Sequence, residues 1–341
     1  MALTQRGAQR QPPMGVLVGW GRAARRAINI TFTVGKALIC VALHISPYIV
    51  LFGFGVGLLI GMTGVGGGSL MTPLLILVFG VKPVTAVGTD IAYGAVTKTL
   101  GGWRHWRRGT VDLALSSWMA LGSVPAAVGG VLALQAIRHG ERAGIDEAVL
   151  IAVAGALLVC GIAILARLAL GPDPAHGHER ATLTPTRRAL AVLCGLAVGF
   201  VLGVTSAGSG SLITVALVAI FGLAPRQVVG TDVFHAALLL WAAALAHLVA
   251  GDIDYALAGA ILLGSLPGVW IGSSLSGRVP VVALRAALGL LLVGAGLALA
   301  QKAGAHLPTA LLATFPAAVA ALVAGAYLWP RRRPGPDALS G

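Results

Sequence analysis

Two aspartates, Asp90 and Asp232, each end a copy of the sequence VGTD within an apolar stretch. Each lies seven residues beyond a proline that can begin a helix, Pro83 or Pro225, which would put its carboxylate about 10 Å along that helix. Inside a membrane such a group is costly, so a functional role is the default hypothesis. It could bind and release a proton, or it could accept hydrogen bonds from irregular backbone and hold that backbone in place.

Further ionisable side chains follow the two aspartates. His235 comes three residues after Asp232, on the same helix face, where it could relay a proton or pack as a hydrogen-bonded histidine. Lys98 is expected near the end of the first stretch, so its amine should extend toward the membrane surface rather than attract an anion. The sequence thus predicts Asp90, Asp232 and His235 as proton-coupling residues.

Two glycine-rich segments could bind an anion. They read GMTGVGGGSL at 61–70 and GVTSAGSGSL at 203–212, and a short apolar arm follows each of them. Glycine permits a sharp turn, and the free amides at the start of the following helix carry the positive end of its dipole. The predicted anion ligands are Thr63, Gly66, Gly67, Gly68 and Ser69 in the first segment and Thr205, Ser206, Gly208, Ser209, Gly210 and Ser211 in the second. The alternative is that these small residues only let helices pack tightly.

Other chemistry finds little support in the sequence. Cys40, Cys160 and Cys194 lie in apolar segments without CxxC spacing and are interpreted as small core residues. His176 and His178 fall in a polar linker, where solvation is expected rather than zinc binding. No nucleophile with a base is apparent, so neither an enzyme nor a cofactor is predicted.

The composition is that of a membrane protein. Of the 341 residues, 57% are hydrophobic and only 10% are charged, too few polar residues to cover a soluble domain of this size. Apolar runs of about twenty residues recur, as spanning helices require. The net charge of +13 comes from arginines in short connections and at both ends, a distribution typical of membrane orientation rather than of nucleic-acid binding.

The chain contains an internal repeat. Gly61–Asp90 aligns with Gly203–Asp232 at an offset of 142 residues without a gap, and LGSVP at 121–125 then falls on LGSLP at 263–267. Such repeats are common in secondary transporters, with the substrate site where the two halves meet.

The predicted fold is an all-α polytopic membrane protein built from two inverted repeats. Each repeat has a Gly-interrupted hairpin of short helices and then three spanning helices. The predicted helices are 48–62, 69–79, 83–101, 112–134 and 147–168 in the first repeat, 190–203, 211–222, 225–248, 254–276 and 281–300 in the second, and 28–45 and 307–329 at the flanks. This gives about eight full spans and two re-entrant hairpins.

Charge predicts one orientation for this layout. With the N-terminal arginines in the cytoplasm, Arg104, Arg107 and Arg108 also lie inside and the acidic segment 252–254 lies outside. Each hairpin must then return to its starting side, which inverts the two halves. The predicted units are a basic cytoplasmic segment 1–27, an additional helix 28–47, the first repeat 48–169, a cytoplasmic linker 170–188, the second repeat 189–302, and a C-terminal helix with a basic cytoplasmic tail 303–341.

The motifs together resemble one known family. GMTGVGGGSLMTPLL, the following VGTD, RRGTVD and the mirrored GDID, over residues 48–300, are similar to the TauE/SafE sulfite exporters, also called toluene sulfonate uptake permeases. The resemblance implies a permease for sulfite, sulfonates or related sulfur-containing anions in a bacterial inner membrane. The basic N-terminal extension and the linker 171–186 depart from the family pattern.

The predicted function is therefore anion transport driven by the proton gradient, with the anion bound near the midplane by two half-helix N-termini. The expected partners are a small sulfur-containing anion, protons and the lipid bilayer, without nucleic acid. The alternatives are an anion channel and a permease for carboxylate-bearing anions, because amides and hydroxyls bind any small oxyanion.

Overall fold

All regular elements in the described part of the chain are helices. The computed structural model describes residues 47–63, 68–140, 144–169, 178, 180–208, 210, 212–275 and 281–305, with single positions at 308 and 321. The ten helices are α1 Pro47–Thr63, α2 Gly68–Leu77, α3 Pro83–Arg107, α4 Leu113–Gly140, α5 Ile145–Ala169, α6 Pro185–Thr205, α7 Leu212–Ala219, α8 Pro225–Ala250, α9 Tyr255–Leu275 and α10 Val281–Lys302. The predicted helix 28–45 lies outside the described residues, as does 307–329 apart from those single positions.

Six of the described helices, α4, α5, α6, α8, α9 and α10, are long and apolar enough to cross a membrane. This agrees with the predicted all-α multi-pass class. Helix α3 has 25 residues, but it extends through Arg104 to Arg107 and is not among the six.

The interrupted hairpins differ from the prediction in one respect. Two short arms were expected in each. In the first half α1 has 17 residues and α2 has 10, and α1 agrees with the predicted arm 48–62 to within one residue at each end. In the second half α7 has 8 residues, but α6 has 21. Helix α6 begins five residues before the predicted start at 190, because Pro185 takes the first turn and the Thr184 hydroxyl accepts the Arg187 amide. The second break therefore separates a helix long enough to cross a membrane from a short one, whereas the first break separates two shorter helices.

Close packing of small residues joins the two halves. Helix α1 packs on α9, and α6 packs on α4 in the same manner. The contacts advance in steps of four residues along both helices of each pair, so the helices run parallel: Gly53 faces Ile261, Gly57 faces Ser265 and Gly61 faces Val269, while Gly195 faces Met119, Gly199 faces Ser123 and Gly203 faces Ala127. The packing interpretation thus holds for Gly61 and Gly203, the first residues of the two glycine-rich segments.

The central pair of helices runs antiparallel. Gly88 of α3 contacts Asp252 just beyond α8, Gly94 contacts Leu240, and Gly102 contacts Phe234. Residue numbers therefore fall along α8 as they rise along α3. Since α3 and α8 are equivalent helices of the two repeats, the repeats meet in opposite directions along this pair.

Helix α4 offers a direct test of this packing. A Cβ at Gly122 would collide with the backbone carbonyl of Val192, whereas a Cβ at Gly129 of the same helix meets no atom within 4 Å. We expect Gly122→Ala to destabilise the protein by about 1–3 kcal/mol through overpacking and Gly129→Ala to leave stability unchanged or slightly raised. Equilibrium denaturation in mixed micelles measures both, and equal losses would contradict the packing of α4 on α6.

Candidate functional site

Asp90 connects the breaks of the two halves. It lies on α3 and is completely buried. Its Oδ2 accepts hydrogen bonds from the Thr72 amide (3.2 Å), the Thr72 hydroxyl (2.6 Å) and the Ser206 hydroxyl (2.8 Å). Thr72 belongs to α2, and Ser206 directly follows α6. One carboxylate oxygen thus holds the short helix of the first half to the break of the second.

The break after α6 is closed by its own polar groups. Ser206 adopts the left-handed conformation at φ 61°, which is unfavourable for a residue with a Cβ, and its amide donates to the Leu202 carbonyl. The Thr205 hydroxyl donates to Val201 and accepts the Ala207 amide. Both predicted anion ligands, Thr205 and Ser206, therefore already hold the break together.

The structure describes the remaining predicted ligands unevenly. Gly208 and Gly210 have φ of 105° and 139°, values that favour glycine. Ser69 is buried in the first turn of α2, one turn before Thr72, and its hydroxyl has no partner among the described residues. Thr63 and Gly68 are the last residue of α1 and the first residue of α2. Gly66, Gly67, Ser209 and Ser211 lie outside the described residues.

Asp232 repeats the arrangement with fewer partners. It is buried on α8, and its Oδ2 accepts the Thr214 hydroxyl of α7 at 3.2 Å. Thr214 and Thr72 are separated by the repeat offset of 142, a signal that the sequence analysis missed because both lie within apolar arms. The equivalent of Ser206 is Gly64, which has no hydroxyl to donate.

His235 pairs with α4 rather than with Asp232. It is completely buried, and its Nε2 lies 3.2 Å from the Ser123 hydroxyl. At the equivalent positions of the other half, buried Tyr93 interacts with Ser265. No hydrogen bond joins His235 to Asp232 in the described part of the chain, an arrangement that favours the packing alternative for this histidine.

Lys98 is buried, which corrects the expectation that its amine reaches the membrane surface. Its side chain is 6% exposed and interacts electrostatically with both Asp90 and Asp232. The prediction was wrong because α3 continues to Arg107 instead of ending at 101. Among the described residues, Lys98 is the only buried lysine or arginine.

Asp90, Lys98 and Asp232 form a row of three ionisable side chains along α3 and α8. Gly101 contacts Val233, the neighbour of Asp232. Asp232 therefore lies beside a point on α3 that is eleven residues beyond Asp90, or roughly 16 Å along the helix. Lys98 lies on α3 between Asp90 and the point that is beside Asp232. The aspartates thus form two separate sites with the buried Lys98 between them, and no cluster of three metal-ligating side chains occurs in the described part of the chain.

The two threonines give a matched test of the site. Thr72→Val removes a 2.6 Å hydrogen bond to Asp90, so we expect a loss of about 1.5–3 kcal/mol, as for a bond to a charged group. Thr214→Val removes a 3.2 Å hydrogen bond to Asp232 and should lower the free energy of unfolding by a smaller amount. Denaturation in mixed micelles gives both values, and an equal or larger loss for Thr214→Val would contradict this asymmetry.

Comparison with known proteins identifies related membrane transporters. The chain is 42% identical over 258 residues to the probable membrane transporter protein YjnA of Bacillus subtilis, covering 74% of this chain and 99% of that protein. It is 30% identical over 253 residues to YdhB of the same organism, covering 74% and 98%. A probable membrane transporter protein of Xylella fastidiosa is 26% identical over 244 residues, covering 69% and 87%. No solved structure matches the chain.

The family assignment rests on the extent of the match as well as on these relatives. Residues 49–299 match the family model of the sulfite exporter TauE/SafE, a range that includes both breaks and both buried aspartates. The relatives carry transporter names rather than enzyme names. The chain therefore belongs to the TauE/SafE sulfite exporter family of membrane transporters.

Proposed function

We propose that this protein transports sulfite, an organosulfonate or a related small anion across the bacterial inner membrane. The observation that carries the proposal is the buried Lys98, which lies between two carboxylates beside the hairpin breaks of both halves. A buried cation needs a compensating negative charge. The two aspartates are the acidic groups that act on Lys98, and a transported anion would share this role with them.

The anion would bind where the short helices begin. Helices α2 and α7 start after the two breaks, and their first amides have no partner within the helix. Gly66, Gly67, Gly68 and Ser69, with Gly208, Ser209, Gly210 and Ser211, are the proposed binding residues, and Thr63, Thr205 and Ser206 support them. The buried hydroxyl of Ser69, without a partner in the described part, supports this assignment.

The aspartates are the proposed proton-coupling groups. Asp90 accepts three hydrogen bonds, whereas one is found for Asp232 in the described part of the chain. Protonation of Asp232 therefore disturbs fewer hydrogen bonds than protonation of Asp90. Asp232 is the better candidate to couple proton movement to the anion. His235 remains a candidate relay through Ser123.

The proposed topology is an inverted repeat with both termini in the cytoplasm. The antiparallel packing of α3 on α8 supports it, as do the arginines at the end of α3. The flanking helices 28–45 and 307–329 would complete about eight spans, and each hairpin would return to its starting side.

Cysteine accessibility tests this topology. In a background without native cysteines, Arg107→Cys and Tyr255→Cys, at exposed positions beside the two connections, should react with an impermeant thiol reagent from opposite sides of intact cells. Labelling of both from the same side would contradict the inverted arrangement.

Flux in liposomes tests the transport function. We expect purified protein to move labelled sulfite or a small sulfonate faster than protein-free vesicles, with saturation and a response to a pH gradient. Lys98→Leu, which introduces the residue found at the equivalent position 240, should abolish uptake. Flux of acetate alone would favour a carboxylate permease, and flux without saturation or pH response would favour a channel.

Replacing the aspartates separates coupling from binding. Asp232→Asn keeps the size of the side chain and removes its titration, so exchange of anion across the membrane should survive while accumulation driven by a pH gradient disappears. Asp90→Asn provides the matched comparison in the other half. Intact gradient-driven accumulation in Asp232→Asn would exclude Asp232 as the coupling site.

A further inference from the structure

A buried histidine contacts two hydrogen-bond acceptors at the far end of α8. His247 has no exposed surface. Its Nδ1 lies 3.1 Å from Oδ2 of Asp252, and its Nε2 lies 3.2 Å from the backbone carbonyl of Gly203 in the last turn of α6. Neither partner can donate a hydrogen to the ring while the Asp252 carboxylate is ionised.

The same carboxylate is also bound by two side chains of α4. Its Oδ1 accepts Nη1 of Arg138 at 2.9 Å, and its Oδ2 also accepts Nε2 of Gln135 at 2.8 Å, both from α4. A neutral imidazole has one N–H and can satisfy only one of its two acceptors, whereas an imidazolium satisfies both. The negative end of the α6 dipole also favours a cation beside Gly203. The charged side chain that contacts His247 is Asp252, which is paired in turn with Arg138.

The contact between His247 and Gly203 lies close in sequence to the proposed anion site. Gly203 comes three residues before Ser206, whose hydroxyl donates to Asp90. The histidine at the equivalent position of the other half, His105, pairs instead with the Thr110 hydroxyl, so it lacks the carboxylate. In the part of the chain that the structure describes, a histidine ring held between two acceptors beside a break is found in the second half and not in the first.

Protons can reach this group from the surface. Asp252 lines an open cavity of about 450 Å³ together with Thr85, Asp254 and Tyr255. The side chain of Arg138 is 51% exposed. The ion pair therefore lies between His247 and solvent.

We propose that His247 is a proton-binding positioning residue. When both ring nitrogens carry hydrogen, it joins Asp252 to the Gly203 carbonyl and holds the break after α6 in the geometry in which Ser206 donates to Asp90. When one proton leaves to solvent, one of the two hydrogen bonds is lost and the break loosens. The role in transport rests on the proposed function, because it requires an anion site at this break, but the protonation-dependent contact does not.

Hydrogen–deuterium exchange of the whole protein in micelles tests the contact without any anion. We expect protection of the amides in 204–208, corrected for the intrinsic pH dependence of exchange, to fall about tenfold between pH 5 and pH 8.5, as loss of one hydrogen bond from a charged group implies. In His247→Gln both donor hydrogens are on one nitrogen, so the side chain can donate toward only one of the two acceptors, and the variant should show low protection at every pH. The matched variant His105→Gln should retain the wild-type profile.

Two further variants give opposite shifts. Asp252→Asn removes the favourable negative charge and should move the transition to lower pH, whereas Arg138→Gln removes a positive charge and should move it to higher pH. Arg138 is half exposed, so this variant keeps the test available if His247→Gln does not fold. A flat wild-type profile, or a transition that Arg138→Gln does not move, would overturn the proposal.

The outcome is distinguishable from failure of the proposed function. If no anion is transported but the exchange profile depends on His247, the proton-dependent contact stands and the transport assignment fails. If sulfite is transported normally and the profile does not depend on His247, only the positioning role fails.

Discussion

Backbone that leaves a helix inside an apolar surrounding must find its hydrogen-bond partners within the protein, and this constraint governs the structure. The chain interrupts its helices twice, and at each break a buried aspartate faces the short helix that follows. Asp90 accepts the amide and hydroxyl of Thr72 together with the hydroxyl of Ser206. A charged acceptor can receive several such bonds at once. The cost of burying the carboxylate is thereby offset, and the two halves are joined at the same point.

The two halves differ in the side chains at equivalent positions. The repeat gives equivalent positions for Asp90 and Asp232, for Thr72 and Thr214, and for His105 and His247. Substitutions at single positions then make the halves different. Glycine replaces serine at 64, Leu240 occupies the position equivalent to Lys98, and Thr110 stands where the other half has Asp252. The first half therefore contributes the carboxylate with three hydrogen bonds, Asp90. The second half contributes Asp232, which has one such bond in the described part of the chain and lies nearer Lys98, and also His247, the histidine with two acceptors.

The sequence was sufficient to predict the helical class, the repeat offset and the two aspartates, because apolar runs and paired motifs are local signals. The sequence-based prediction was wrong for features that depend on where helices begin and end. The first five residues of α6 were missed because polar side chains interrupt the apolar pattern there. Lys98 was expected near a helix end, but α3 continues to Arg107 and Lys98 is buried. The partners of Asp90 come from residues 18 and 116 positions away, and no local pattern identifies such contacts. The threonines could have been found from the repeat alone.

The central claim is that Asp90 joins the break of one half to the short helix of the other, and a double-mutant cycle tests it most directly. Asp90→Leu, Ser206→Ala and the double variant are compared by equilibrium denaturation in mixed micelles, which requires no knowledge of the transported anion. The predicted result is a coupling free energy of about 1 kcal/mol or more, as for residues in direct contact. Losses that add to within about 0.3–0.5 kcal/mol, as for independent sites, would contradict the claim.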